Sequence, residues 1–134
     1  MFTFSERSKT QLATCHPNLK LVLDRALSYG IMDFTVLEGF RNQKDQDEAF
    51  RTGKSKLKWP NGKHNGVPSR AVDIAPFVNR TIPWDDTRYW YLLAGIILVA
   101  ANECNIKIRT GWDWDGDLDL SDQNFNDLGH IELL

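Results

Sequence analysis

The chain is short of everything that would staple, anchor or export it. Its two cysteines, Cys15 and Cys104, are spaced neither as a metal knuckle nor as a redox pair, so a disulfide framework is not indicated and both are expected as free, buried thiols. Neither sign of charge dominates: 16 Lys and Arg against 18 Asp and Glu give a formal net charge of -2. That balance excludes a global pull toward nucleic acid or an anionic membrane. No apolar run is long enough for a bilayer, which takes about 20 residues; the longest, Tyr89 to Ala101, reads as a buried helix. The opening Met1-Phe2-Thr3-Phe4-Ser5-Glu6-Arg7 lacks the basic segment and apolar stretch of a secretion signal, so synthesis as a cytosolic protein without membrane insertion is expected. Repeats and low-complexity tracts are likewise missing. What is present, 134 residues of which 42% are hydrophobic, suffices for one globular domain with a sizeable core.

Local patterns predict the elements. Ser5 to Leu12 reads as a first helix. Pro17 opens a second, whose Leu19, Val22, Leu23, Ala26 and Leu27 recur at helical spacing up to a stop at Gly30. Phe34 to Leu37 has strand composition, Gln43 to Arg51 is a charged helix, and Lys54 to Lys63 is a basic, irregular loop. Arg70 to Phe77 reads as a strand, Asp85 and Asp86 can cap a helix running to about Asn102, and Ile106 to Arg109 alternates like a strand. Gly111 to Asn124 is a long acidic loop before a last strand, His130 to Leu134. Helices and strands in no strict alternation predict an α+β domain, a small antiparallel sheet with helices packed on it.

Two distant segments carry the chemistry. A catalytic zinc takes three imidazole or carboxylate ligands and leaves a position open to water. His64, Asp73 and His130 supply that set, and Asp127, three residues before the last ligand, suits a general base beside the ion. Side chains alternate faces along a strand, so Ala71 and Asp73 share one face while Val72 and Ile74 enter the core. His130 and Glu132 likewise oppose Ile131 and Leu133, and two adjacent strands would bring Asp73 and His130 together.

Four ordered blocks complete the pattern: Glu38-Gly39-Phe40-Arg41 with Gln46; Lys58 to Asn65; Ala71-Val72-Asp73-Ile74-Ala75-Pro76; and Asp127-Leu128-Gly129-His130-Ile131-Glu132-Leu133. Together they resemble the zinc peptidases that cut peptidoglycan stem peptides, a family that includes D-alanyl-D-alanine carboxypeptidases and dipeptidases. The match is nearest to its bacteriophage branch, the L-alanyl-D-glutamate endopeptidase endolysins. The resemblance implies one zinc per chain on His64, Asp73 and His130, Asp127 as base, and Arg41 on the developing oxyanion or on the substrate. An ion pair of Arg41 with Glu38 or Asp45 is the plainer alternative. It further implies a monomer acting on peptidoglycan, with residues 1–134 as a single catalytic domain lacking a separate wall-binding domain, held in the host cytoplasm until lysis. A carboxypeptidase-type activity, or a non-catalytic metal- or wall-binding module, is the rival reading. The chain departs from the family pattern in three places. Gly62 stands two residues before His64 where serine is common, eight residues separate His64 from Asp73, and Gly129 leaves the approach to His130 free to flex.

Other features have plain and functional readings side by side. Asp113, Asp115 and Asp117 could bind calcium, although leucine and asparagine fall where an EF-hand loop needs glycine and glutamate. Otherwise they belong to a solvated loop in which Trp112 and Trp114 pack or line a cleft. The lysines at 54, 56, 58 and 63 either dock on an anionic or sugar-containing polymer or keep the loop soluble. His16 caps a helix or faces solvent.

Overall fold

The computed structural model describes residues 1–122 and 127–134. Among these described residues four helices and four strands follow one another as α1 (Glu6–Leu12), α2 (Pro17–Ser28), β1 (Phe34–Glu38), α3 (Gln43–Arg51), β2 (Ala71–Pro76), α4 (Thr87–Glu103), β3 (Ile108–Thr110) and β4 (His130–Leu133). A 3₁₀ turn at Lys63–Asn65 lies between α3 and β2, and another at Leu120–Asp122 between β3 and β4. The strands form one antiparallel sheet in the order β1-β2-β4-β3, so the expected α+β architecture is what the chain adopts.

Each helix begins where a side chain can satisfy its first amide groups. Ser5 accepts from the Ser8 N–H, Asn42 from Asp45 and Asp86 from Arg88. His16 does so through Nδ1, which takes the Asn18 N–H at 3.0 Å, so its cap reading holds. The stripe on α2 is fully buried and packs with Leu93, Ile96 and Ile97 of α4 against Val36, Val72, Ile74, Ile131 and Leu133 of the sheet. Burying each such side chain contributes about 1.5 to 3 kcal/mol before chain entropy is counted. The core occupies one face of the sheet. The site occupies the other.

Three local expectations shift. The third strand starts at Ile108, because Asn105 turns at φ 56° and the Ile106 N–H still bonds to Ala101 at the end of α4. Leu92, expected in the core, is exposed on α4, while its neighbours Trp90 and Leu93 are buried. Cys15 is buried but Cys104 only half so; both thiols are free. The part of the acidic loop beyond Asp122 lies outside the described residues. Among the described residues no helix is long and apolar enough to cross a membrane.

Candidate active site

The sheet register assembles the centre. Asp73 on β2 is the direct cross-strand partner of His130 on β4, and Glu132 pairs with Ala71 on one side and with Arg109 of β3 on the other. On the opposite edge a bulge between Val36 and Glu38 shifts β1 by one residue, which brings Glu38 opposite Asp73. A bulge re-aims side chains in this way. Here it keeps Val36 in the core and turns Glu38 toward the site.

His64 arrives from the 3₁₀ turn rather than from a strand. Its carbonyl accepts the Arg41 N–H at 2.9 Å, and the Lys63 carbonyl before it accepts from Arg70 at 3.0 Å. The neighbouring Asn65 locks the turn: Oδ1 accepts the Gly62 N–H at 2.8 Å, and Nδ2 donates to the Arg41 carbonyl and to Gln46 Oε1. A Cβ at residue 62 would sit 2.7 Å from Asn65 Oδ1, which explains the glycine there. The longer spacer after His64 bulges outward at exposed Val67 and returns through Ser69, whose buried hydroxyl donates to the Gly39 and Ala71 carbonyls.

The three side chains converge. His64 Nε2 and His130 Nδ1 each lie 3.2 Å from Asp73 Oδ1, and all three residues are buried. The far nitrogen of each ring is already engaged. His64 Nδ1 is 2.7 Å from the Gly39 carbonyl, and His130 Nε2 is 2.9 Å from Glu132 Oε1. A hydrogen-bonded outer nitrogen sets which ring atom is left for a ligand. The inner atoms of the three residues lie within 4.8 Å of one another. Four-coordinate zinc with bonds near 2.0 to 2.1 Å requires ligand separations of about 3.3 Å, so the donor set fits the ion in type and in spacing.

Electrostatics agree. Burial opposes a charge on Asp73, but the His64 and His130 imidazoles hold its carboxyl well below the usual range. Burial likewise opposes a charge on His130, yet its hydrogen bonds to Asp73 and Glu132 push it up to about 9. The field that favours a proton between these carboxylates favours a divalent cation there too.

Asp127 stands beside the cluster, its Oδ2 3.7 Å from His130 Nδ1. Burial and then the negative charge of Asp73 raise its carboxyl above the ordinary aspartate value, which suits a group that must take up and release a proton. Its backbone is pinned to Gly111 at 2.8 Å, where a Cβ would meet the Asp127 carbonyl at 2.2 Å. Gly129 is equally constrained: φ is +91°, and a Cβ would fall 2.2 Å from the Ile74 carbonyl oxygen. The glycine therefore holds β4 tightly against β2 rather than loosening the approach to His130.

Arg41 is buried and makes the Glu38 pair, with NH2 2.6 Å and Nε 2.9 Å from Glu38 Oε1. NH2 also reaches Asp73 Oδ2 at 3.5 Å, on the side away from the imidazoles. The ion pair with Glu38 therefore forms with a buried guanidinium, which also faces the cleft. Sequence reasoning gave no role to two residues of this neighbourhood. Gln46, fully buried, accepts from Arg41 and Asn65 and donates to Ser55 and the Leu57 carbonyl, so it ties the basic loop to the site. Glu132 holds His130; the sequence marked it only as a member of the last block and as sharing a strand face with that histidine.

A cleft of about 280 Å³ opens over these groups. Lys54, Lys56, Lys63 and Arg109 line it with Asp127 and Trp114, whereas the Lys58 ammonium sits over the Phe50 ring. Trp112 is packed in the core. Asp113, Asp115 and Asp117 do cluster, but each accepts a nearby backbone N–H, from Leu118, Asp117 and Asp119 respectively, and such turns gather carboxylates without an ion.

Comparison with known proteins agrees with this geometry. A family model described as phage L-alanyl-D-glutamate peptidase matches residues 1–134. The L-alanyl-D-glutamate peptidase of Escherichia phage T5 is 35% identical over 136 residues, covering 99% of this chain and 98% of that protein. Among solved structures, the Serratia marcescens L-Ala D-Glu endopeptidase ChiX superposes with a TM-score of 0.79 at 28% identity, over 98% of this chain and 90% of that one. With its whole length matched in this way, the chain belongs to the phage L-alanyl-D-glutamate peptidase family.

Proposed function

We propose that this chain is a zinc-dependent endopeptidase that hydrolyses the bond between L-alanine and D-glutamate in peptidoglycan stem peptides. Acting as a monomer, it would wait in the host cytoplasm and cut the wall at lysis. The observation that carries this reading is the meeting of His64 Nε2, Asp73 Oδ1 and His130 Nδ1 beside Asp127, at the floor of a cleft. Zinc on those three residues would supply a Lewis acid that activates water and polarises the scissile carbonyl.

The remaining work falls to the protein's own groups. Asp127 Oδ2 takes the proton from the attacking water and returns it to the leaving amine, as its raised carboxyl suits it to do. Arg41, permanently charged and braced by Glu38, offers a fixed guanidinium to the oxyanion or to a substrate carboxylate. Glutamate has two carboxyl groups and uses one to continue the chain, so its other carboxylate matches the lysines around the cleft. Calcium on Asp113, Asp115 and Asp117 has narrower support: Asp113 is buried, and its Oδ1 has no hydrogen-bond partner among the described residues.

Digestion of purified peptidoglycan, followed by mass analysis of the released fragments, tests the reading. New L-alanine carboxyl ends and D-glutamate amino ends are expected, with turnover lost on chelation and regained with zinc. Release of terminal D-alanine alone would instead mark a carboxypeptidase. Bound zinc with no turnover would mark a non-catalytic module.

A further inference from the structure

The proposed centre contains two histidines that present different nitrogens, and the second is held by residues with no part assigned in the proposed reaction. His130 is fixed on three sides. Glu132 Oε1 holds its Nε2 edge at 2.9 Å, the Trp114 ring lies 5.4 Å away across its face, and the His64 ring meets it edge-on at 5.2 Å. Glu132 is itself locked. Its second oxygen accepts from Arg109 NH2 at 2.8 Å, and the Arg109 guanidinium lies over Trp114 at 5.9 Å. The register makes this possible, because Arg109 is the cross-strand partner of Glu132 and Glu132 shares a strand face with His130.

A buried carboxylate paired with a half-exposed arginine is often only a structural ion pair. Two details point further here. Among the described residues Arg109 Nε is left buried without a hydrogen-bond partner, an arrangement that packing alone would not favour. Glu132 also spends one oxygen on the imidazole edge opposite Asp73, so it determines which nitrogen His130 turns inward.

We propose that Glu132, oriented by Arg109, is a positioning residue that holds His130 as the Nε2–H tautomer and thereby presents Nδ1 to the metal. The proposal rests on the metal-centre reading above. Outer partners of this kind typically change metal affinity 10- to 100-fold.

The test is zinc affinity of the full chain, measured by competition with a chromophoric chelator, alongside long-range nitrogen–proton spectra of the histidine rings. Glu132→Ala is expected to weaken zinc binding by about 10- to 100-fold. Glu132→Gln, whose amide oxygen can still accept from Nε2–H, should recover most of that loss. A merely structural ion pair would behave differently: both variants would lose thermal stability while binding zinc as the parent does, and that result overturns the proposal. Should Glu132→Ala fail to fold, the parent protein decides the matter. With zinc bound, a proton on His130 Nε2 in its spectrum is the expected result, and one on Nδ1 overturns it. A parent that binds no zinc would instead refute the metal centre itself.

Discussion

Replacing Asp127 with alanine should lower kcat by about 10²- to 10⁴-fold, the range a positioned proton-transfer group contributes, while the zinc content of the protein stays near that of the parent. The separation of the two effects follows from geometry. His64 and His130 each contact a single Asp73 oxygen at 3.2 Å, whereas Asp127 Oδ2 lies 3.7 Å from His130 Nδ1, outside that contact. Removing it leaves three donors in place. Its backbone bond to Gly111 does not depend on the side chain, so the loop before β4 should keep its course. Turnover can be followed by amine release from peptidoglycan and zinc by elemental analysis of the same samples. Loss of zinc together with activity would make Asp127 a fourth ligand instead of a base, and full activity would remove it from the mechanism.

His64→Ala has the other large expected effect, the loss of both zinc and hydrolysis. Only Asp73 and His130 would remain as donors, one fewer than a catalytic zinc site employs. The substitution also strips a buried carboxylate of one of its two imidazole partners, and an undercompensated buried charge is costly. Some loss of thermal stability should therefore accompany the loss of metal. Retention of zinc at parental stoichiometry would show that the ion is held elsewhere.

The meeting of Asp73 and His130 was legible because both strands obey a period of two. Alternation along Ala71 to Ile74 and along His130 to Leu133 sorts apolar from polar side chains without knowledge of the sheet, and an antiparallel pairing then sets Asp73 beside His130. Helix starts were legible for a similar local reason, since His16-Pro17 and Asp86 announce their caps. What escaped depended on contacts between distant segments. The bulge that turns Glu38 toward Asp73 follows from the pairing of β1 with β2, and nothing in Phe34 to Leu37 marks it. Glu132 looked like one more alternate position until Arg109 appeared across the strand. Gly129 read as looseness because a glycine's local freedom is visible in a sequence, whereas the Ile74 carbonyl that fills the space beside it is not. The third strand began late because the end of α4 retained the Ile106 amide.

Diffraction from crystals grown with zinc, recorded on both sides of the zinc absorption edge, bears most directly on the central claim. A single strong anomalous peak bounded by His64 Nε2, the Asp73 carboxylate and His130 Nδ1 is the predicted result. Density placing the two imidazoles on separate ions, or no peak between them in crystals whose solution holds saturating zinc, would contradict it.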